Sequence, residues 1–243
     1  MNYEAIGAPG ALHLITFGLL LPLLAWYSAR RLDRVSLPPR KRYFASVLVQ
    51  QGVFGAFSIW VATELGLGLF PLWRPSPFEL LAGAAVLALM VALLYPSWVR
   101  AVEERSRRVY LASPRDGPER ALWIGISVAA GTIEEISYRG VLFWIVTALT
   151  DSPVVAVVFC SLAFGLGHLM QGWAAAAVVT IFAAGFHWLV FATGSLYLAM
   201  AIHVCYDAIA GLSYGRLADR AGLPLEAPDP ADRSTDSPAR TLS

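Results

Sequence analysis

Charge is scarce in this chain. Only 14% of its 243 residues are Asp, Glu, Lys or Arg, against 57% hydrophobic residues. Soluble domains carry about 25% charge and roughly 45–50% apolar residues. The shortfall excludes an ordinary water-soluble globule and points to lipid as the solvent. Cysteine is nearly absent. Cys160 and Cys205 both lie in apolar runs and read as small core residues, so no disulfide framework or cysteine metal site is expected. A basic n-region is also missing. The first uncharged run, Ala5–Ala29, is 25 residues long, too long for a cleaved leader. It reads as a retained span. A net charge of +1 gives no sign of a nucleic-acid partner.

What is present is a series of apolar windows near the 20 residues that cross a bilayer. Tyr43–Thr63 and Leu80–Val99 hold the second and third spans, and Ala121–Thr150 holds a fourth interrupted by a charged cluster. From Ser152 to Tyr206 no Asp, Glu, Lys or Arg occurs in 55 residues, room for three more spans with the continuation to about Tyr214. Gln171-Gly172 and Thr193-Gly194-Ser195 mark its turns. Backbone polar groups in lipid must be satisfied internally, so runs of this length are helices. The predicted fold is an all-α polytopic bundle of about seven spans, within six to eight. Residues 1–120 read as N-terminal helices, 121–214 as the chemical half, and 215–243 as a disordered cytoplasmic tail.

The loops Arg30–Arg42 and Arg100–Arg120 hold 12 of the 18 basic residues. Both are therefore expected in the cytoplasm, with the N-terminus outside and the tail inside, in a plasma (inner) membrane. Anionic lipid is a sufficient partner for them. Trp26, Tyr27, Trp98 and Trp173 near span ends read as interfacial anchors.

Ionisable groups inside spans are costly and suggest function. Three groupings stand in the second half: Glu134-Glu135…Arg139, Phe164…His168 and His203…Asp207. Glu135 and Arg139 are four apart and share a helix face. Glu134 points about 100° away and is left as a carboxylate without a local partner, suited to a general base. Asp207, four residues after His203, can orient that imidazole and leave its other nitrogen for water, a carbonyl or a metal. Phe164 packs beside His168. The bland alternatives are an ion-pair lock for the charged cluster and interhelical hydrogen bonds for the histidines, the preferred reading for His13 and His187. Gly165-Leu166-Gly167 reads as close helix packing.

In this order, these groupings resemble the CPBP family of intramembrane proteases, the CAAX-processing and bacteriocin-processing enzymes also called Abi. The resemblance covers about Leu122 to Gly211 and includes Thr193-Gly194-Ser195-Leu196. It implies a peptidase working in a cavity within the membrane. Carried over, Glu134 and His168 activate water, His203 with Asp207 contacts the tetrahedral intermediate, and Glu135, Arg139 and Phe164 support them. Asp207 stands where the family more often has Asn. An ionised Asp cannot donate to an oxyanion, so His203 is expected to donate with Asp207 orienting it. The competing mechanism is a divalent metal such as zinc on Glu134, His168 and His203, although no His-Glu-x-x-His spacing occurs. The endopeptidase is thus of glutamate or metallo type, with a divalent cofactor or none. Its expected partners are membrane lipid and a peptide or protein substrate, lipid-anchored or not. A transporter or proton relay, and a non-catalytic immunity or scaffold protein, are the rival readings. No inverted repeat between the halves favours the transporter.

Overall fold

The computed structural model describes residues 6–32 and 34–226. It contains only helices among them. Helix α1 spans Gly7–Arg31, with a π turn at Thr16–Leu20. Pro22, which has no N–H to give the Gly18 carbonyl, stands two residues after the end of that turn. Helix α2 is Arg40–Glu64 and α3 is Pro77–Glu103. Ser76 and Glu79 close a capping box at the start of α3. A short helix, α4, covers Arg107–Ala112. Helix α5 runs through Gly117–Glu134, a π segment at Glu135–Leu142, and Phe143–Thr150. Helices α6, α7 and α8 are Pro153–Gly167, Trp173–Thr193 and Tyr197–Arg220. Gly172 and Gly194 supply the left-handed φ values of +103° and +65° that turn the chain into and out of α7.

Helices α1, α2, α3 and α7 are long and apolar enough to cross a membrane. Helices α5 and α8 carry the buried charges. Helix α6 has 15 residues, about 22 Å of rise against a hydrocarbon core of about 30 Å. It is shorter than that thickness, and His168 caps its C-terminal end. Helix α5 runs on without a break, and the π segment Glu135–Leu142, which includes Gly140, lies within it.

Helix α5 is the axis of the molecule. Its first half packs between α2 and α8, its second half packs on α6, and α3 lies on the outer side of α8. Gly131 permits the α5–α8 approach: a Cβ there would stand 2.6 Å from the backbone nitrogen of Val204. Gly211 and Gly215 do the same from α8, against the Trp123 indole and the Pro114 carbonyl. With no hydrophobic drive between helices in lipid, such close backbone packing supplies the association energy. Gly165 packs likewise against Thr180 and Ala176 of α7, as its Gly-rich surroundings predicted.

The two basic loops meet at one end of the bundle. Arg40 pairs with Glu119 at 3.0 Å, Lys41 with Asp116 at 2.7 Å, and the Tyr110 hydroxyl donates to the Pro38 carbonyl. Arg115 adds a pair with Asp219 at the end of α8. The Lys41 ammonium and the Glu119 N–H hold the Asp116 carboxyl below its ordinary range.

Three sequence expectations need correction. Trp98 is not an interfacial anchor: it is 3% exposed and packs against Tyr206 and Tyr214 of α8. Trp26, Tyr27 and Trp173 are exposed as expected. Cys205 faces outward, whereas Cys160 is buried. Residues 215–220 are not tail, because α8 continues to Arg220 with Gly215 and Ala218 buried. The rest of the expected tail, 227–243, lies outside the described residues. His13 does bond between helices, to Ser58 of α2 at 3.1 Å.

Candidate active site

The π segment of α5 opens at Glu135, and its first turn presents two carboxylates to α8. Glu135 is fully buried. Its Oε1 lies 3.2 Å from Arg139 Nη1, the pairing that the four-residue spacing predicted. The distance is that of an ion pair, but the angle does not make a hydrogen bond, and Arg139 Nε and Nη1 have no hydrogen-bond partner. The guanidinium is instead held between two aromatic faces, 4.4 Å over Phe164 and 5.5 Å over Phe186. Stacking of this kind suits Arg and not Lys.

His203 sits one helix away on α8 and receives both carboxylates. Its Nδ1 lies 2.8 Å from Glu135 Oε1. A carboxylate only accepts, so Nδ1 carries a proton and donates it to that bond. Its Nε2 faces Asp207 Oδ2 at 3.6 Å and Glu134 Oε2 at 3.9 Å. Both gaps exceed a direct hydrogen bond and suit a bridging water. The residue that orients the ring is therefore Glu135. This corrects the expectation that Asp207, its neighbour on the same helix, would do so. Glu134 and Glu135 do point apart, but they reach two edges of one imidazole.

Glu134 is not without a partner either. Gln51 of α2 donates from Nε2 to Glu134 Oε1 at 2.8 Å. Sequence reasoning missed Gln51. An amide in the middle of an apolar window was the available signal. Glu134 and Asp207 are the more open members, with side chains 20% and 27% exposed, while His203 is at 10%.

His168 closes α6, and its ring lies 4.5 Å from that of Phe164, as its spacing predicted. Its Nδ1 is 2.8 Å from the Phe164 carbonyl. That nitrogen donates to the carbonyl, so Nε2 is the edge left free of it. His168 makes no direct contact with the carboxylates. Phe164 stands between the two histidines, its ring 6.1 Å from that of His203. The structure thus brings Glu134, Glu135, Arg139, His203, Asp207 and Phe164 together and leaves His168 one ring away.

The proposed metal set is not assembled. Among the described residues no three His, Cys, Asp or Glu side chains form a group that could hold an ion. Glu134 and His203 lie side by side, and His168 does not join them.

His187 is buried and packs on Phe143, and its Nε2 has no partner among the described residues, so the interhelical hydrogen bond expected of it is not made there.

Residues 117–209 match the family described as Rce1-like, type II CAAX prenyl endopeptidase Rce1-like. The match begins at the first residue of α5 and ends two residues after Asp207, so it contains all three polar groupings. It bears out, over these residues, the resemblance to the CAAX-processing proteases. Helix α2, with Gln51, lies outside it. No curated protein and no solved structure matches the chain.

Proposed function

We propose that the chain is an intramembrane endopeptidase of the CAAX-protease type, hydrolysing a peptide bond near the C-terminus of a prenylated substrate. One observation carries this reading. His203 Nε2 faces two partly open carboxylates, Glu134 at 3.9 Å and Asp207 at 3.6 Å, so an imidazole and a candidate base from two helices meet at one place. The match of residues 117–209 to a CAAX prenyl endopeptidase family supports that choice of substrate.

Glu134 Oε2 is the base. It takes a proton from water as the water oxygen bonds to the scissile carbonyl carbon. The carbonyl π electrons pass to its oxygen. His203, protonated at both nitrogens, donates from Nε2 to that oxyanion while Glu135 holds Nδ1. Three carboxylates face the cationic pair Arg139 and His203, so a doubly protonated ring is electrostatically compensated. When the intermediate collapses, the C–N bond breaks and Glu134 returns its proton to the leaving amine. His168, one ring away behind Phe164, is left outside the water site in this structure. Asp207 anchors the second side of the water site.

The test uses Glu134→Gln, which keeps the side-chain size and an oxygen for the Gln51 bond. Purified protein in liposomes is given a farnesylated reporter peptide ending in Cys-a-a-X, with a quenched fluorophore. The variant is expected to fold, melt near the wild-type temperature and lose cleavage. Retained cleavage excludes Glu134 as the base.

A further inference from the structure

Helix α2 approaches α5 closely beside the candidate base. A Cβ at Gly55 would stand 2.9 Å from the Ile133 side chain, one residue before Glu134. One turn earlier on α2, Gln51 donates to Glu134 Oε1 at 2.8 Å. The acceptor is a carboxylate, so the amide must present its nitrogen, and its own Oε1 points elsewhere. That oxygen is buried without a hydrogen-bond partner among the described residues. An amide retained only to join two helices would be poorly chosen, because a buried unfilled acceptor is costly.

The α2–α5 seam has another polar join, two turns further along α2. Ser58 lies 2.8 Å from Ser137 and 3.1 Å from His13 of α1, and Ser137 donates to the Ile133 carbonyl. This chain ties three helices and touches none of the groups around His203. Helix registration is therefore supplied without Gln51.

We infer that Gln51 is a positioning residue for the water-activating carboxylate. It occupies Oε1 of Glu134 and leaves Oε2, the oxygen facing His203, as the one that takes the proton. The inference rests on the hydrolytic reading of Glu134, and it adds a member of the site from outside the matched segment. The bond is made to a charged group, so its loss removes about 10- to 100-fold in rate.

The test compares kcat and KM for the farnesylated Cys-a-a-X reporter in wild type, Gln51→Met, Gln51→Asn, Ser58→Ala, Glu134→Gln and the Gln51→Met/Glu134→Gln double variant. Gln51→Met keeps the chain length without the donor. Gln51→Asn keeps the amide but falls one methylene short. Either variant is expected to lower kcat about 10- to 100-fold with KM changed less than about twofold. Ser58→Ala is expected to lower the melting temperature and keep kcat. In the Glu134→Gln background, Gln51→Met is expected to cost nothing more. Wild-type kcat in both Gln51 variants overturns the inference. So does an equal fall in Ser58→Ala, or a full further loss in the double variant. If Glu134→Gln itself cleaves, or wild type leaves the reporter intact, the functional reading fails and takes the inference with it. Wild-type kcat at Gln51 beside an inactive Glu134→Gln sinks the inference alone.

Discussion

Replacing Gly131 with alanine places a methyl group against the backbone of α8. The added Cβ would stand 2.6 Å from Val204 N and 2.9 Å from Val204 Cα, and backbone cannot rotate aside as a side chain can. Relieving the overlap requires α5 and α8 to separate by about 1 Å at this level, a displacement on the scale that costs on the order of 10²-fold in rate. Val204 adjoins His203, whose bond to Glu135 is 2.8 Å long. A separation of that size carries it past hydrogen-bond range. Overpacking also costs about 1–3 kcal/mol in stability. The expected result is a folded protein with a lowered melting temperature and about 100-fold slower reporter cleavage. Gly185→Ala is the companion, since nothing lies within 4 Å of a Cβ there. It should keep activity and gain about 0.5–1 kcal/mol of helix stability. Wild-type cleavage and melting in Gly131→Ala would refute the claim that this glycine sets the distance between Glu135 and His203.

Glu135→Gln removes the counter-charge from a guanidinium that is 1% exposed. Breaking a buried pair costs about 3–5 kcal/mol, so this variant should unfold in detergent where Glu134→Gln does not; equal melting temperatures contradict the division between the two. Trp98→Ala should destabilise by about 3–5 kcal/mol and Trp173→Ala by less than about 0.5 kcal/mol, read as melting temperatures in micelles. Treatment with 1,10-phenanthroline should leave reporter cleavage unchanged, because no three ligands converge. Inhibition reversed by added zinc contradicts that expectation.

Much of this fold is legible in the sequence because lipid removes most alternatives. A charge-free run such as 152–206 has to be helical, and Gly172 and Gly194 mark where it turns. Local pairs are also legible. Glu135–Arg139 and Phe164–His168 lie four residues apart, and helix geometry brings each pair together wherever the helix goes.

What the sequence hides depends on the distance and register between helices. His203 has Asp207 on its own face, yet its Nδ1 goes to Glu135, because Gly131 lets α5 and α8 close. Gln51 reaches Glu134 only through the packing of Gly55 on Ile133, while neighbouring Gln50 faces outward. Two adjacent amides in one apolar window do not disclose which is used. Trp98 sits near a span end like the exposed Trp173, and only the position of α8 beside α3 buries it.

The most direct measurement is a double-mutant cycle on single-turnover cleavage by Glu134→Gln and His203→Ala. Residues acting on one water as a unit fall to a common floor. The double variant should therefore be no slower than either single one. Losses that multiply, or a single variant at the wild-type rate, contradict a shared hydrolytic pocket.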